Sequence, residues 1–517
     1  MASRKLGMIW RLLPLIFVAA LPAAAQSFRV QCPNKTITHP AATNNSEPAY
    51  TSATAANGAI KCQQISGGDG YSTMGDGTQT YMFSFGPLSG LAKIASGQPG
   101  TDFPNEFNSL YSGATPLLPG DPATTVDPNL AGGPFNLSLF TYNGAVGQVP
   151  DMDNGSVING HVDPRQIEDI GVMNGNIPAP LIAIDEDDEF FLTLSNVGMI
   201  MRPDLFEQHT VHFHGYPNAS SFYDGVPDAS VAINIGGSFT YYYLAPDAGT
   251  YFWHCHITPP EHLQMGMVGQ LYVRPRQNRV PAGTSLYSAL NTQQGNLRTA
   301  CNSATDILCS NPLPAGGAAT NTATRTAAGN YAYNDGDGTT YYDVEYPLQI
   351  HGFDPNFHFV GMTFNPEGFS DMKDKYFLLN GRSYPDTVTP GPLETMSSDG
   401  RNHFSQPLPS IINIIHGQKA LLRISDLDVT EYQTLASLGI PMKVIGINAK
   451  LLRDQAGNNL YYNTNSITLA GGESLDVILD ATGYTAGQVF YLYTPNLDHL
   501  SNDAENFGGL MTEVHIN

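Results

Sequence analysis

Short runs of β-branched and aromatic residues, broken by glycine, proline and asparagine, set the pattern of this chain. TYMFSFGPL (Thr80–Leu88) alternates apolar and polar positions with the period of two expected of a half-buried strand. From Gly171 the rhythm is continuous: NGNIPAPLIAIDEDDEFFLTLSN, HTVHFHG, GGSFTYYYLAP, GTYFWHCH and GMVGQLYVRP follow one another, separated by turn residues. Short strands so spaced predict a β-sandwich. Within this series the acidic run Asp185–Glu189 reads as a solvated strand edge. A second series predicts another sandwich of similar design. It runs through YPLQIHGF, KYFLLNGRSYPDT, SIINIIHGQKALLRISD, MKVIGINAKLL, NSITLAGGESLDVILDA, GQVFYLYTP and GGLMTEVHIN.

The intervening stretches lack that rhythm. Residues 26–76 are polar and rich in Thr, Ala and Asn, and read as a loop-rich N-terminal extension. A Gly/Pro/Asn-rich stretch from Leu88 to about Asp163 is too long for a simple loop and reads as an insertion. After Arg274 the chain turns to Asn, Thr, Ala and Gly, as a linker does. The expected organisation is therefore 26–76 extension, 77–275 first β-domain, 276–340 linker and 341–517 second β-domain. Ahead of these, residues 1–25 carry a basic start (Arg4, Lys5, Arg11), a short apolar stretch and an Ala-rich end, the pattern of a secretory signal peptide.

Composition sharpens this. Charged residues are only 13% of the chain, against 52 Gly and 37 Pro, which suits an all-β protein and argues against helical bundles. A net charge of −23 excludes a nucleic-acid partner of the usual kind, which needs clustered Lys and Arg. Beyond the N-terminus no apolar stretch is long enough to span a membrane, so the expected location is periplasmic or extracellular. Export permits disulfides. Of the five cysteines, Cys32–Cys62 and Cys301–Cys309 are the simplest pairs, and Cys255 is left over with a histidine on each side.

Six of the fourteen histidines fall between His209 and His262. Alternate residues on a strand share a face, so His212 and His214 point one way, as do His254 and His256. Cys255 points the other way and can meet His209, His262 and, as a weak axial thioether, Met267. Thiolate, two imidazoles and a long methionine sulfur make the ligand set of a blue-copper centre. Met265 is the competing, purely packing methionine. A structural zinc site would leave the four remaining histidines and Met267 without a purpose.

With these residues in view, 173–275 resembles the cupredoxin domain of multicopper oxidases. HTVHFHG fits the family's H-x2-H-x-H-G pattern, and HCHITPPEHLQMGM its His-Cys-His signature with a following His and Met. The gap from Cys255 to His262 is two residues longer than in typical laccases. NGNIPAPLI and FYDGVPD also look like family segments, and 342–517 is weakly similar to a copper-free domain of the same kind. Copper nitrite reductases are more distant, with Asp where this chain has His212. The resemblance implies two cupredoxin-like Greek-key sandwiches and a copper-dependent oxidase with oxygen as acceptor. It implies type 1 copper on His209, Cys255, His262 and Met267, type 2 on His212, type 3 on His214, His254 and His256, and proton delivery by Asp224. A small-molecule or metal-ion reductant, or a redox protein, would supply electrons.

The pattern breaks in the second domain. The family's cluster needs eight histidines, four from each of two domains, yet this region has no H-x-H pair and reads YTPNLDHLSNDAENFGGLM where a ligand motif is expected. His499 stands there alone, and His351, His358, His403 and His416 read as surface or packing residues. Either a homo-oligomer pools histidines, or the site is reduced, or the chain is an electron-transfer or copper-handling protein.

Overall fold

The computed structural model describes residues 32–37, 39, 58–108, 150–153, 156–162, 175–199, 207–215, 220–245, 247–295, 311–362, 368–396 and 402–517. Residues 1–25, expected to be a signal peptide, and the expected pair Cys301–Cys309 lie outside them. The chain is all-β, as expected. Its first domain uses strands β1 (Ile60–Thr73), β2 (Gln79–Pro87), β3 (Pro150–Asp153), β4 (Ser156–Val162), β5 (Ile182–Asp185), β6 (Glu189–Gly198), β7 (His212–Phe213), β8 (Ser238–Leu244), β9 (Gly249–His254) and β10 (Val268–Arg274). Two four-stranded sheets, β2-β1-β6-β8 and β5-β10-β9-β7, face each other, with β3 and β4 as a separate hairpin. Phe83, Phe85, Leu192, Leu194, Tyr241 and Trp253 fill the space between them, all essentially without solvent contact.

The second domain repeats the plan with a seven-stranded and a five-stranded sheet. Its core holds Leu348, Ile350, Leu422, Ile424, Val477 and Val514. Strand β9 is buried on both faces, because one face of its sheet meets the first core and the other meets the second domain. Thr250 Oγ1 donates to Asp476 at 2.6 Å, and Ser474 Oγ donates to the Thr250 carbonyl at 2.6 Å.

Three expectations need correction. The extension 26–76 contains β1, a fourteen-residue strand paired on both sides, antiparallel to β2 and parallel to β6. Its Gln, Gly and Ser residues hide the strand from an apolar-periodicity reading, yet Gln63, Gln64 and Ser66 are fully buried. Cys62 on β1 bonds Cys32, as the simplest pairing predicts, and ties 32–37 to the sheet. The acidic run is not solvated. Glu186, Asp187 and Asp188 are at most 1% exposed, and Arg276 donates to Asp187 Oδ1 at 2.7 Å. Burying a carboxylate is costly unless it is paired, and Arg276 and Arg279 supply the charge. Finally, the described parts of the linker, 276–295 and 311–340, are packed structure. Helix Leu286–Gln294 sets Leu286 and Ala289 against Val280 and Tyr331, and Ser285 caps it by accepting from the Ser288 N–H.

Candidate metal centre

The site follows from the two faces of β9. Tyr251 and Trp253 point into the first core, and Cys255, just past the strand, continues that side. Thr250, Phe252 and His254 point toward the second domain, where Phe252 packs on Leu427. Strand β7 lies beside β9 with His212 opposite His254 and Phe213 opposite Trp253. The odd-even alternation therefore sorts the predicted residues into two groups. Among the described residues these are also the groups of three whose donor atoms lie within 4.8 Å of one another: His209, Cys255 and His262, and His212, His214 and His254.

On the core side all three side chains are fully buried. Cys255 Sγ is 3.2 Å from His262 Nδ1 and 3.8 Å from His209 Nδ1, and the Thr210 N–H donates to it at 3.4 Å. A two-way backbone bridge to Ile233 pins His209. His262 returns on the short helix Pro259–Gln264, which prolines start after Thr258 adopts φ +37°. The Met267 N–H donates to the His262 carbonyl at 2.9 Å, and its carbonyl accepts from the Cys255 N–H at 3.1 Å. Met265 shares that core. Burial pulls His209 down to about 3 and His262 well below its ordinary value, and pushes the Cys255 thiol up to about 11. The imidazoles are thus neutral and ready to donate lone pairs. His209 Nε2 and His262 Nε2 are buried without a hydrogen-bond partner. An N,N,S set of this kind fits a soft-to-borderline metal ion.

On the interdomain side, His212 Nδ1–H donates to the Asp224 carbonyl at 2.7 Å, and His254 Nδ1–H to the Cys255 carbonyl at 2.6 Å. A carbonyl only accepts, so each bond places the ring proton on Nδ1 and frees Nε2 as a ligand atom. His214 Nε2 and His254 Nε2 are 2.8 Å apart. Burial lowers His214 to about 4 and His254 to about 3, with neighbouring histidines adding to the shift. His256 stands outside this triplet, its ring 5.0 Å from His212 and 5.5 Å from His254. Asp224 Oδ2 is 3.5 Å from His212 Nδ1.

A family model described as multicopper oxidase matches residues 157–278, which contain every one of these residues. Over that segment the chain is similar to multicopper oxidases. The chain is 34% identical over 109 residues to Laccase abr2 of Aspergillus fumigatus, covering 21% of the chain and 17% of that protein. It is 35% identical over 118 residues to Multicopper oxidase MCE of Talaromyces pinophilus, covering 22% and 18%. The chain thus spans less than a fifth of the length of either relative. A solved structure of Blue Copper Oxidase from Nitrosomonas europaea aligns at a TM-score of 0.43 and 21% identity, over 66% of this chain and 78% of that one.

Sequence reasoning gives no role to Thr210, whose N–H donates to Cys255 Sγ and whose Oγ1 accepts from the His256 N–H at 3.0 Å. It also missed the second domain's loop 427–432 and turn 470–472, which with His214 and His254 line a cleft of about 430 Å³. No local signal in those segments announces that role. His351, His358 and His499 are buried within or beside the second domain, His416 is exposed, and the His403 side chain is outside the description.

Gly225 supports the His212 partner directly. At φ +82° its Cβ would sit 1.9 Å from the Val211 carbonyl oxygen, a backbone atom that cannot swing aside. Gly225→Ala is expected to cost about 1–3 kcal/mol and to displace the Asp224 carbonyl from His212. Urea unfolding and metal retention on dialysis check this; wild-type values in both would refute it.

Proposed function

We propose that this chain is an exported copper-dependent oxidoreductase, which takes single electrons from a reductant on the Cys255 side and reduces oxygen on the interdomain side. The observation that carries the reading is Cys255 itself. Its sulfur lies among His209 and His262, while its carbonyl accepts from His254 and its neighbours in sequence belong to the second group. Copper held by these residues would supply one-electron redox chemistry and, at the imidazole group, the reduction of oxygen.

In this reading His209, Cys255, His262 and Met267 hold type 1 copper; thiolate and thioether favour copper over zinc. His212 serves type 2 copper, and His214, His254 and His256 the type 3 pair. Cys255 is bonded through its peptide groups to both His254 and His256, so electrons have a short covalent route between the sites. Asp224 is the carboxylate beside His212 and is assigned proton delivery. The dry, close-packed surroundings of Cys255 limit rearrangement when charge changes. The reductant is a small molecule, a metal ion or a redox protein.

One observation favours a second reading. Across the cleft the second domain presents Asp428, Thr430 and Glu431 and, among the described lining residues, no imidazole. Within one chain the cluster has four histidines, so the chain works either as an oxidase completed by a second copy or as an electron-transfer or copper-handling protein. Copper per chain, oligomeric mass and oxygen uptake with a phenolic reductant decide between them. More than one copper per chain in an oligomer with sustained uptake is the oxidase result. In that case His212→Ala with His254→Ala is expected to end oxygen uptake while the Cys255 site is still reduced. Uptake that survives the double change refutes the cluster assignment.

A further inference from the structure

His262 reaches the Cys255 sulfur from the helix Pro259–Gln264, which is only six residues long. A helix that short does not hold its own shape in water, so what grips its ends sets its direction. At the start the grip is the left-handed turn at Thr258. At the finish it is Gln264, fully buried, two residues after His262 and three before Met267. Residues two apart on a helix lie about 200° round from each other. His262 therefore meets the sulfur from one side of the helix, and Gln264 meets the second domain from the other.

Both ends of the Gln264 amide are taken up by that domain. Nε2 donates to Asp374 Oδ1 at 2.9 Å, and Oε1 accepts from the Asp354 N–H at 3.0 Å. The Gln264 carbonyl faces the same way, 3.0 Å from His358 Nε2. These partners form one unit. The Asp354 carboxylate accepts from the Phe357 N–H at 3.2 Å and the Lys373 N–H at 2.8 Å, which fastens the turn at 354 to the segment carrying Asp374. Asp374 is buried, and its Oδ2 accepts from Thr430 Oγ1. From the first domain, Ser84 Oγ donates to the Gly266 carbonyl, so both domains hold the segment between His262 and Met267. Ligands need to be held within about 0.5 Å by such supporting bonds for a metal site to be well defined.

We infer that the second domain, to which no copper ligand is assigned, acts as the support of the Cys255 site. Gln264 is the positioning residue: held by Asp374 and the Asp354 backbone, it fixes where His262 meets the sulfur. The inference rests on the reading of this group as a copper site, and one arm of its test needs no copper.

The test compares full-length wild type with Gln264→Leu, which keeps the volume and removes both bonds, and with Val477→Ala, a change in the second core far from these contacts. In the metal-free proteins, modification of Cys255 by dithionitrobenzoate is followed by peptide mass and corrected for each protein's unfolding equilibrium in urea. Gln264→Leu is expected to react faster than wild type by about tenfold or more through local opening, and Val477→Ala at the wild-type rate. In the proteins loaded with Cu(II), Gln264→Leu is expected to alter the paramagnetic resonance hyperfine splitting and the ratio of the visible bands, and Val477→Ala to alter neither. A rescue completes the test. Gln264→Glu sets a second carboxylate against Asp374 and should disturb the site, while adding Asp374→Asn reverses donor and acceptor and should restore it. This pair decides the matter if Gln264→Leu does not fold. Wild-type thiol protection in Gln264→Leu, a rate no faster than that of Val477→Ala, or a double variant that rescues nothing overturns the inference. A wild type that never turns blue, with the thiol rates as expected, removes the copper reading and leaves the positioning of His262 standing.

Discussion

Cys255→Ser is expected to lose the intense blue absorption and one copper per chain, and with them electron entry from any reductant, while the fold survives. The sulfur is the soft donor of its group, and an alcohol oxygen is a poor substitute for a thiolate on copper. The change is small in volume, and its neighbours Trp253, Met265 and Met267 remain to fill the core. Visible and paramagnetic resonance spectra, copper content and circular dichroism measured together check this. A blue protein with serine at 255 would remove the basis of the type 1 assignment. A colourless protein that had also unfolded would show instead that the thiol is a structural element.

Glu345→Gln should give the largest loss of stability, because it breaks the clasp between the domains. Arg274 ends β10 of the first domain, and Arg423 belongs to the second. Glu345 binds both: Arg274 Nε donates to Oε1 at 2.8 Å and Arg423 Nε to Oε2 at 2.9 Å. Arg423 is fully buried, and its Nη2 has no hydrogen-bond partner even in the intact protein. Removing Glu345 leaves the buried Arg423 charge with Asp476 alone, 3.7 Å from its Nη1, a loss of about 3 kcal/mol. Burial alone would raise the Glu345 carboxyl, but the two guanidinium groups outweigh it and hold it down to about 2. Because the folded value lies below the ordinary 4.5, the stabilisation is complete above about pH 4.5 and is lost as pH falls through about 2. Urea unfolding of wild type and variant at neutral pH, and again toward pH 2, should therefore show a wide gap that closes with acid. A gap that is pH-independent, or absent at neutral pH, would contradict this account.

Much of the candidate site is legible in the sequence, and the reason is geometric. A two-residue period needs no tertiary information, so HTVHFHG and HCH could be divided between faces from spacing alone. The sandwiches followed from the same rule. What escaped was burial achieved by pairing and not by apolar character. Strand β1 is polar and glycine-rich, yet it is enclosed by neighbours on both sides. Glu186 and Asp187 looked like surface groups because their partners Arg276 and Arg279 lie about ninety residues away and only the fold brings them together. Loop 427–432 was unreadable for a related cause: its place beside His214 depends on how the domains meet.

The alternation at β9 also determines which changes in chain length this protein tolerates over evolutionary time. One residue inserted between Trp253 and His256 would exchange the faces, sending a histidine into the first core and the thiol toward the second domain. Beyond His256 the constraint ends, since His262 returns on a helix entered through a left-handed turn at Thr258 and not along a strand. Insertions and deletions should therefore accumulate between Ile257 and Glu261, in any number that lets the helix reach the sulfur, and be purged from the five positions Phe252 to His256.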